Sequence, residues 1–292
     1  MSPVFPRALL MFCLGFVAPL SMSEENAAAT ATAVVLSSGV EGGGYWNAGA
    51  RLQAVAAKEI GLGVENLPST GSLDNLERLL DETSPVNLGF AQADAVQLYL
   101  NKNPRVIENL VVLENIGPEC VFIVTSADGS IRTDDDLRAA KNLRLGIPSA
   151  SSGIAVTFDY MASQVPELGQ ANVVYGDTLA AMETMDSDNP EVDAVMMVHR
   201  PREHSPEVDM ALAHPERFRL VELGDARFTA ASWDGKPVYR QMDLAMAEMD
   251  EPLQTLCVVG LLLANKHKLA SEQRNQLGKL VDFYWMQVYP TE

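Results

Sequence analysis

The stretch AVVLSSGVEGGGYWNAGARLQ, Ala33–Gln53, decides the fold class. An apolar run, Ala33–Leu36, bends through Gly39, Gly42, Gly43 and Gly44 and continues into a segment of helical periodicity. There Ala48, Leu52, Val55, Ala56 and Ile60 fall on one face. A strand, a glycine-rich bend and a helix make the first unit of an α/β chain.

The alternation continues to the C-terminus. Further strand-like runs are Val64–Leu67, Val86–Phe90, Leu110–Leu113, Cys120–Thr125, Leu143–Ile147, Val173–Tyr175, Val192–Val198, Phe218–Val221 and Leu256–Leu263. Helices are expected with Leu73, Leu76, Leu79 and Leu80 on one face, and over Asp134–Ala140, Gly153–Gln164, Thr178–Met185 and Ser271–Val288. Thr133 stands three residues before Asp136 as a capping box, and Ser271 is expected to open the last helix. The pattern implies an α/β protein with a mostly parallel sheet covered on both faces, and 292 residues suffice for one large or two modest domains. Between His199 and Pro252, five prolines break any regular pattern.

The first residues are a separate object. Arg7 precedes ALLMFCLGFVAPL, an apolar run too short to cross a bilayer as a stable helix and followed at once by small and polar residues. It reads as a secretory signal peptide over residues 1–23, cleaved near Ser23, with the alanine-rich stretch up to Ala33 as an alternative limit. LLMFC lacks the small residues that a lipid anchor at Cys13 would need. The later run LCVVGLLLA, Leu256–Ala264, has strand length, so the mature protein is expected to be periplasmic and not embedded in the membrane. Losing the leader removes Arg7 and no acid, which moves the formal charge from −18 to −19. Such a surface repels phosphate backbones and argues against a nucleic-acid partner.

Ligands of open parallel sheets bind beyond the carboxyl ends of strands, where helix starts present unpaired N–H groups. Four loops occupy that position. The opening bend supplies glycines beside Tyr45 and Trp46; PSTGSLDNL supplies Thr70, Gly71 and Ser72; GFAQADA supplies Gln92 and Asp94; GIPSASSGIAVTF supplies Ser149, Ser151 and Ser152. Each alone is ordinary turn and cap chemistry, but four in one topological position favour a shared cleft. The glycine spacing is not that of a dinucleotide fingerprint, and no Walker lysine follows, so no cofactor is expected.

The succession of the Gly-rich loop ending in an aromatic, TGSLDNLERLL, LGFAQAD, GIPSASSG and VDAVMMV resembles the extracytoplasmic solute receptors of tripartite ATP-independent periplasmic (TRAP) transporters, specifically the TAXI family. The resemblance spans Val34–Val198, with looser similarity through LCVVGLLLAN to the C-terminus. It implies a type II periplasmic-binding-protein-like fold, two lobes joined by a hinge of crossing strands. Lobe 1 would hold residues 34–124 plus 256–292, and lobe 2 residues 125–255. It also implies a monomeric receptor that captures a small organic anion, a dicarboxylate or an acidic amino acid such as glutamate, and delivers it to a TRAP membrane permease. An ABC-type or sensor-associated receptor for another small anion is the alternative.

Carried over by the resemblance, Gly44 and Tyr45 match the first family loop, Ser72 and Asn75 the second, Gln92 and Asp94 the third, and Ser149, Ser151 and Ser152 the fourth. The fourth departs from the family's more usual Gly-Ser-Gly-Thr run. VHRPRE also departs from the smaller residues common after that strand and offers Arg200 as a carboxylate partner, against an ion pair with Glu203. Tyr45 either touches the ligand or packs the wall; Asp94 either caps a helix or binds an amino group. Arg51 is expected to face solvent. In the type II fold the crossing strands lie side by side, and here ECVFIV and LCVVGLL are the candidates for them, which makes Cys120–Cys257 a candidate hinge disulfide. His199 and His204 lack a third ligand at metal spacing, and no metal is expected. The sequence holds no G-x-S-x-G elbow, no H-E-x-x-H and no Cys-His pair with a base, so catalysis is not expected.

Overall fold

The computed structural model describes Met1 and residues 33–203 and 205–290. Beyond Met1, the leader expected over residues 1–23 lies outside the described residues, as does His204. The first half of the chain runs β1 (Val34–Ser37), α1 (Gly44–Ile60), β2 (Val64–Leu67), α2 (Ser72–Leu80), β3 (Leu88–Gln92), α3 (Ala93–Lys102) and β4 (Leu110–Ser126). The second half continues with α4 (Asp134–Ala139), β5 (Arg144–Ile147), α5 (Gly153–Gln164), β6 (Asn172–Tyr175), α6 (Thr178–Met182) and β7 (Ala194–His199). It closes with α7 (Pro206–Ala213), β8 (Phe218–Leu220), β9 (Tyr239–Leu244), β10 (Leu253–Asn265) and α8 (Ser271–Val288).

The ten strands of the described residues belong to one sheet, whose main path is β2-β1-β3-β10-β4-β7-β5-β6. The expectation of a mostly parallel sheet is corrected here. The outer trios β2-β1-β3 and β7-β5-β6 are each parallel within themselves, but β10 and β4 are antiparallel to each other, β10 is antiparallel to β3, and β4 is antiparallel to β7. The reason is topological: parallel trios grow by helical crossovers, whereas β4 leaves the first trio and β10 returns to it.

The period-two alternation of the central strands builds three cores. Val121 and Ile123 of β4, with Leu261 and Leu263 of β10, face a continuous core that holds α2, α3, α4 and α5. On the other face, Leu262 and Ala264 join α1 and α8, while Cys120, Phe122 and Cys257 join α6 and α7. The helical stripe read from the sequence is the buried one, Ala48, Leu52, Val55 and Ala56, with Ile60 left exposed at the helix end. Fully buried side chains such as Leu52 and Leu76 each contribute roughly 1.5–3 kcal/mol of transfer free energy.

Strand boundaries moved where context outweighed local sequence. Leu110–Leu113 and Cys120–Thr125 are one strand, β4, because Gly117 at φ 111° carries the chain through an irregularity in its pairing with β10. Pro118 is tolerated because there β4 pairs with β10 alone, β7 joining only from Cys120 onward. β9, YRQMDL, has no apolar alternation and forms by lying against β10. The Thr133–Asp136 capping box is present, but Ala270, not Ser271, is the cap residue of α8, which starts without a side-chain cap.

Cys120 and Cys257 face each other across β4 and β10 and form a disulfide closing 137 residues of chain. Replacing both with alanine is expected to lower the unfolding free energy by about 2–4 kcal/mol. Urea titration checks this; an unchanged midpoint would show that strand pairing suffices.

Candidate functional site

The anticipated loops do meet, and they meet by packing. Gly71, at φ 135°, lies so close to the fourth loop that an added Cβ would stand 3.4 Å from Gly153 N and 3.5 Å from Ser151 O. A Cβ on Gly153 would stand 2.7 Å from Gln92 Oε1, the far end of a flexible side chain, while at Gly71 it is the positive φ that favours glycine.

Ser72 and Asn75 are spent on their own half of the molecule. Asn75 Nδ2 donates to Ser38 O at 2.6 Å and to Phe90 O at 2.8 Å, and its Oδ1 accepts from Ser37 Oγ at 2.6 Å. Ser72 Oγ accepts from Gln92 N at 3.2 Å. Together they tie the ends of β1 and β3 to the start of α2. Ser152 caps α5 by accepting from Ala155 N, while Ser149 and Ser151 are exposed and bonded to each other at 3.0 Å. Gly44 is exposed at the start of α1, whose cap residue Gly43 supplies no side-chain acceptor.

Asp94 does not stand open to a solute; its Oδ1 accepts from Ala95 N at 2.7 Å in the first turn of α3, where Gln92 is the cap residue. Asp94 is fully buried, and its Oδ2 accepts from Thr157 Oγ1 and from the Tyr239 hydroxyl, both at 2.8 Å. Thr157 lies on α5 and Tyr239 opens β9, so this carboxyl clamps the first half to the second. Burial raises its proton affinity, and the two hydroxyl donors oppose that shift.

A second buried carboxyl, Glu119 on β4, lies at the centre of the hinge. Its Oε1 accepts from the Tyr289 hydroxyl at 2.8 Å. The Tyr45 hydroxyl lies beside it, buried and without a hydrogen bond of normal geometry, while the Tyr45 ring packs on Phe90 at 5.4 Å between centroids. Burial pushes Glu119 up to about 7; the Tyr289 bond and the charge of Arg200 oppose the shift, and the charge of Asp94 adds to it. The sequence carried a signal for Glu119, an acid set inside an apolar strand, but none for Tyr239 in its proline-broken region.

Behind Tyr289 opens a cavity of about 660 Å³ between the outer cores, with Gly117 and Pro118 of β4, Arg51 of α1 and Trp285 of α8 among its lining residues. Met242 and Leu244 of β9 line it from the second half, as do Arg200 and Arg202 just past the carboxyl end of β7. Of the expected ligand residues, only Arg200 lines it. Its guanidinium sits 3.7 Å above the Tyr289 ring, donates to Pro290 O and pairs with Glu203 at 3.2 Å. Arg51 is corrected from solvent-facing to half-buried: its Nε donates to Val288 O at 2.8 Å. Burial, and then the positive charge of Arg200, depress the proton affinity of Arg51, so the two cations stand close enough to repel.

A second cavity of about 580 Å³ lies away from the hinge around Asp128, Lys141, Asp186 and Asp193, whose Asp193 is held by Arg144. Among the described residues no cluster of metal-ligating side chains occurs, and no helix is long and apolar enough to cross a membrane.

No family model matches the chain, and no curated protein sequence does. Solved structures do. A TctC solute-binding protein from Polaromonas aligns over 89% of this chain and 87% of its own at 13% identity and a TM-score of 0.51. The protein XAC2383 from Xanthomonas citri, solved bound to ATP, aligns over 89% of each chain at 11% identity and a TM-score of 0.52. At such identities the likeness concerns the fold, which is α/β and periplasmic-binding-protein-like.

Two predictions follow from the buried carboxyls. Tyr239→Phe removes one donor from Asp94 and is expected to cost about 1–3 kcal/mol, read from the urea midpoint. Glu119 holds its proton more tightly when folded than its ordinary 4.5, so its stabilising contribution is complete below pH 4.5 and is lost as pH rises through about 7. That slope, roughly 3 kcal/mol in all, should flatten in Glu119→Gln. Equal slopes in the two proteins would place the titrating group elsewhere.

Proposed function

We propose that this chain is an extracytoplasmic solute-binding receptor for a small organic anion, exported by its N-terminal leader and acting by capture and delivery with no chemical step. The observation that carries the reading is the construction of the hinge. Two parallel trios are joined through one disulfide-bonded pair of long antiparallel strands, and both halves contribute residues to a cavity beside that pair. A molecule so built binds by bringing its halves to bear on one solute, and the free energy of those contacts favours the closed arrangement.

The resemblance of GGGYW, TGSLDN, GFAQAD and GIPSAS to TAXI receptors supports a TRAP-type membrane permease as the partner that accepts the solute. The fold likeness to a TctC solute-binding protein supports the receptor class. The absence of recognisable nucleophile-and-base pairs in the sequence supports binding without turnover.

Thermal unfolding against a broad solute panel tests the reading, because a ligand held only by the folded chain raises its midpoint. The panel spans dicarboxylates, glutamate and other amino acids, monocarboxylates, sulfonates, nucleotides, sugars and polyamines. At least one small anion is expected to shift the midpoint in proportion to the logarithm of its concentration. No shift with any member, together with no small molecule released on denaturing the purified protein, would overturn the receptor reading.

A further inference from the structure

We propose that the solute's seat is the 660 Å³ cavity at the hinge, and that it takes an anion bearing one carboxylate or sulfonate on an aromatic or branched apolar body. The proposal rests on the receptor reading. It narrows that reading, moving the site away from the packed helix starts and the solute away from dicarboxylates and acidic amino acids.

Four observations converge. The volume falls within the roughly 300–1,000 Å³ of small-molecule sites, and the cavity touches both halves and the β4 strand that joins them. Its cations are out of keeping with the chain: a protein of net charge −18 gathers Arg51, Arg200 and Arg202 around one hollow. The bland account is that Arg51 and Arg200 hold the carbonyl end of α8 through Val288 O and Pro290 O. That account uses only the Nε of Arg51, and its Nη groups have no protein acceptor among the described residues. Nor does it need two guanidinium groups beside a hole: Glu203 offsets Arg200, and an oxyanion beside Arg51 would supply the second counter-charge.

The rest of the lining sets the class. Trp285, Tyr289, Met242 and Leu244 offer apolar and aromatic contact to a body behind the anionic group. Glu203, paired with Arg200, and Asp243 are exposed on the lining and disfavour more than one negative charge on the solute. By contrast, the helix starts close on Asp94, a buried carboxyl whose oxygen accepts from Thr157 and Tyr239 and gives an anion no donor.

Isothermal titration of the purified protein with phenylacetate, isovalerate, benzenesulfonate, the neutral phenylacetamide, succinate and L-glutamate tests the proposal. The monoanions are expected to bind more tightly than phenylacetamide and than the two dicarboxylates. Arg51→Gln should weaken them by about tenfold or more, and Lys141→Gln, in the other cavity, should not change them. Should Arg51→Gln fail to fold, Arg202→Gln, which removes an exposed lining charge, should weaken the monoanions about two- to fivefold and reduce their salt dependence. Ligand-induced change in tryptophan emission should vanish in Trp285→Phe while titration heat persists.

Monoanion affinity unmoved in the arginine variants overturns the proposal, as does loss of binding in Ser149→Ala/Ser151→Ala with Arg51→Gln unaffected. Either result leaves the receptor reading standing with its site at the helix starts. Binding confined to the dicarboxylates also overturns the proposal alone, whereas binding confined to phenylacetamide overturns the anion reading with it. A panel in which nothing binds overturns both.

Discussion

The pairing of β4 with β10 is the constraint on which the rest depends. These two strands run antiparallel through the middle of the sheet and carry it from the first half to the second, while α3 and α5 also join the halves directly. Their outer neighbours β3 and β7 each anchor a parallel trio. The Cys120–Cys257 bond joins directly opposed residues and so holds register where a slip by one residue would exchange the two faces of both strands. Reversal of faces would send Val121 and Ile123 into the core of α6 and α7, and Phe122 into the core of α5.

One face of the sheet carries a core shared by both halves. The Asp94–Thr157–Tyr239 clamp lies within that shared packing and joins α3, α5 and β9. The other face carries two separate cores, and the cavity occupies the seam between them. Any change in the angle between the halves therefore alters the seam more readily than the packed face, where glycines 71 and 153 already allow closest approach.

Charge follows the same division. Two carboxyls are buried at the centre, one satisfied by hydroxyl donors from the opposite half and the other by Tyr289. The cations stand on the seam side, stacked and bonded against the end of α8. Tyr289 connects the two environments, since its hydroxyl binds Glu119 and its ring carries Arg200.

The sequence by itself determined the alternation of strands and helices, the buried stripe of α1, the capping box at Thr133 and the placement of four loops at helix starts. Each is a local property, set by periodicity and turn chemistry within a few residues. It also supplied the two cysteines whose strands lie opposite, but their register depended on the pairing of segments 137 residues apart. Only the tertiary structure decided that Ser72, Asn75 and Asp94 are consumed by internal bonds, that β9 exists, and that Arg51 turns from the solvent toward Val288. A polar side chain's role is set by which distant donors and acceptors reach it first, and that is a property of the packed chain, not of its neighbours in sequence.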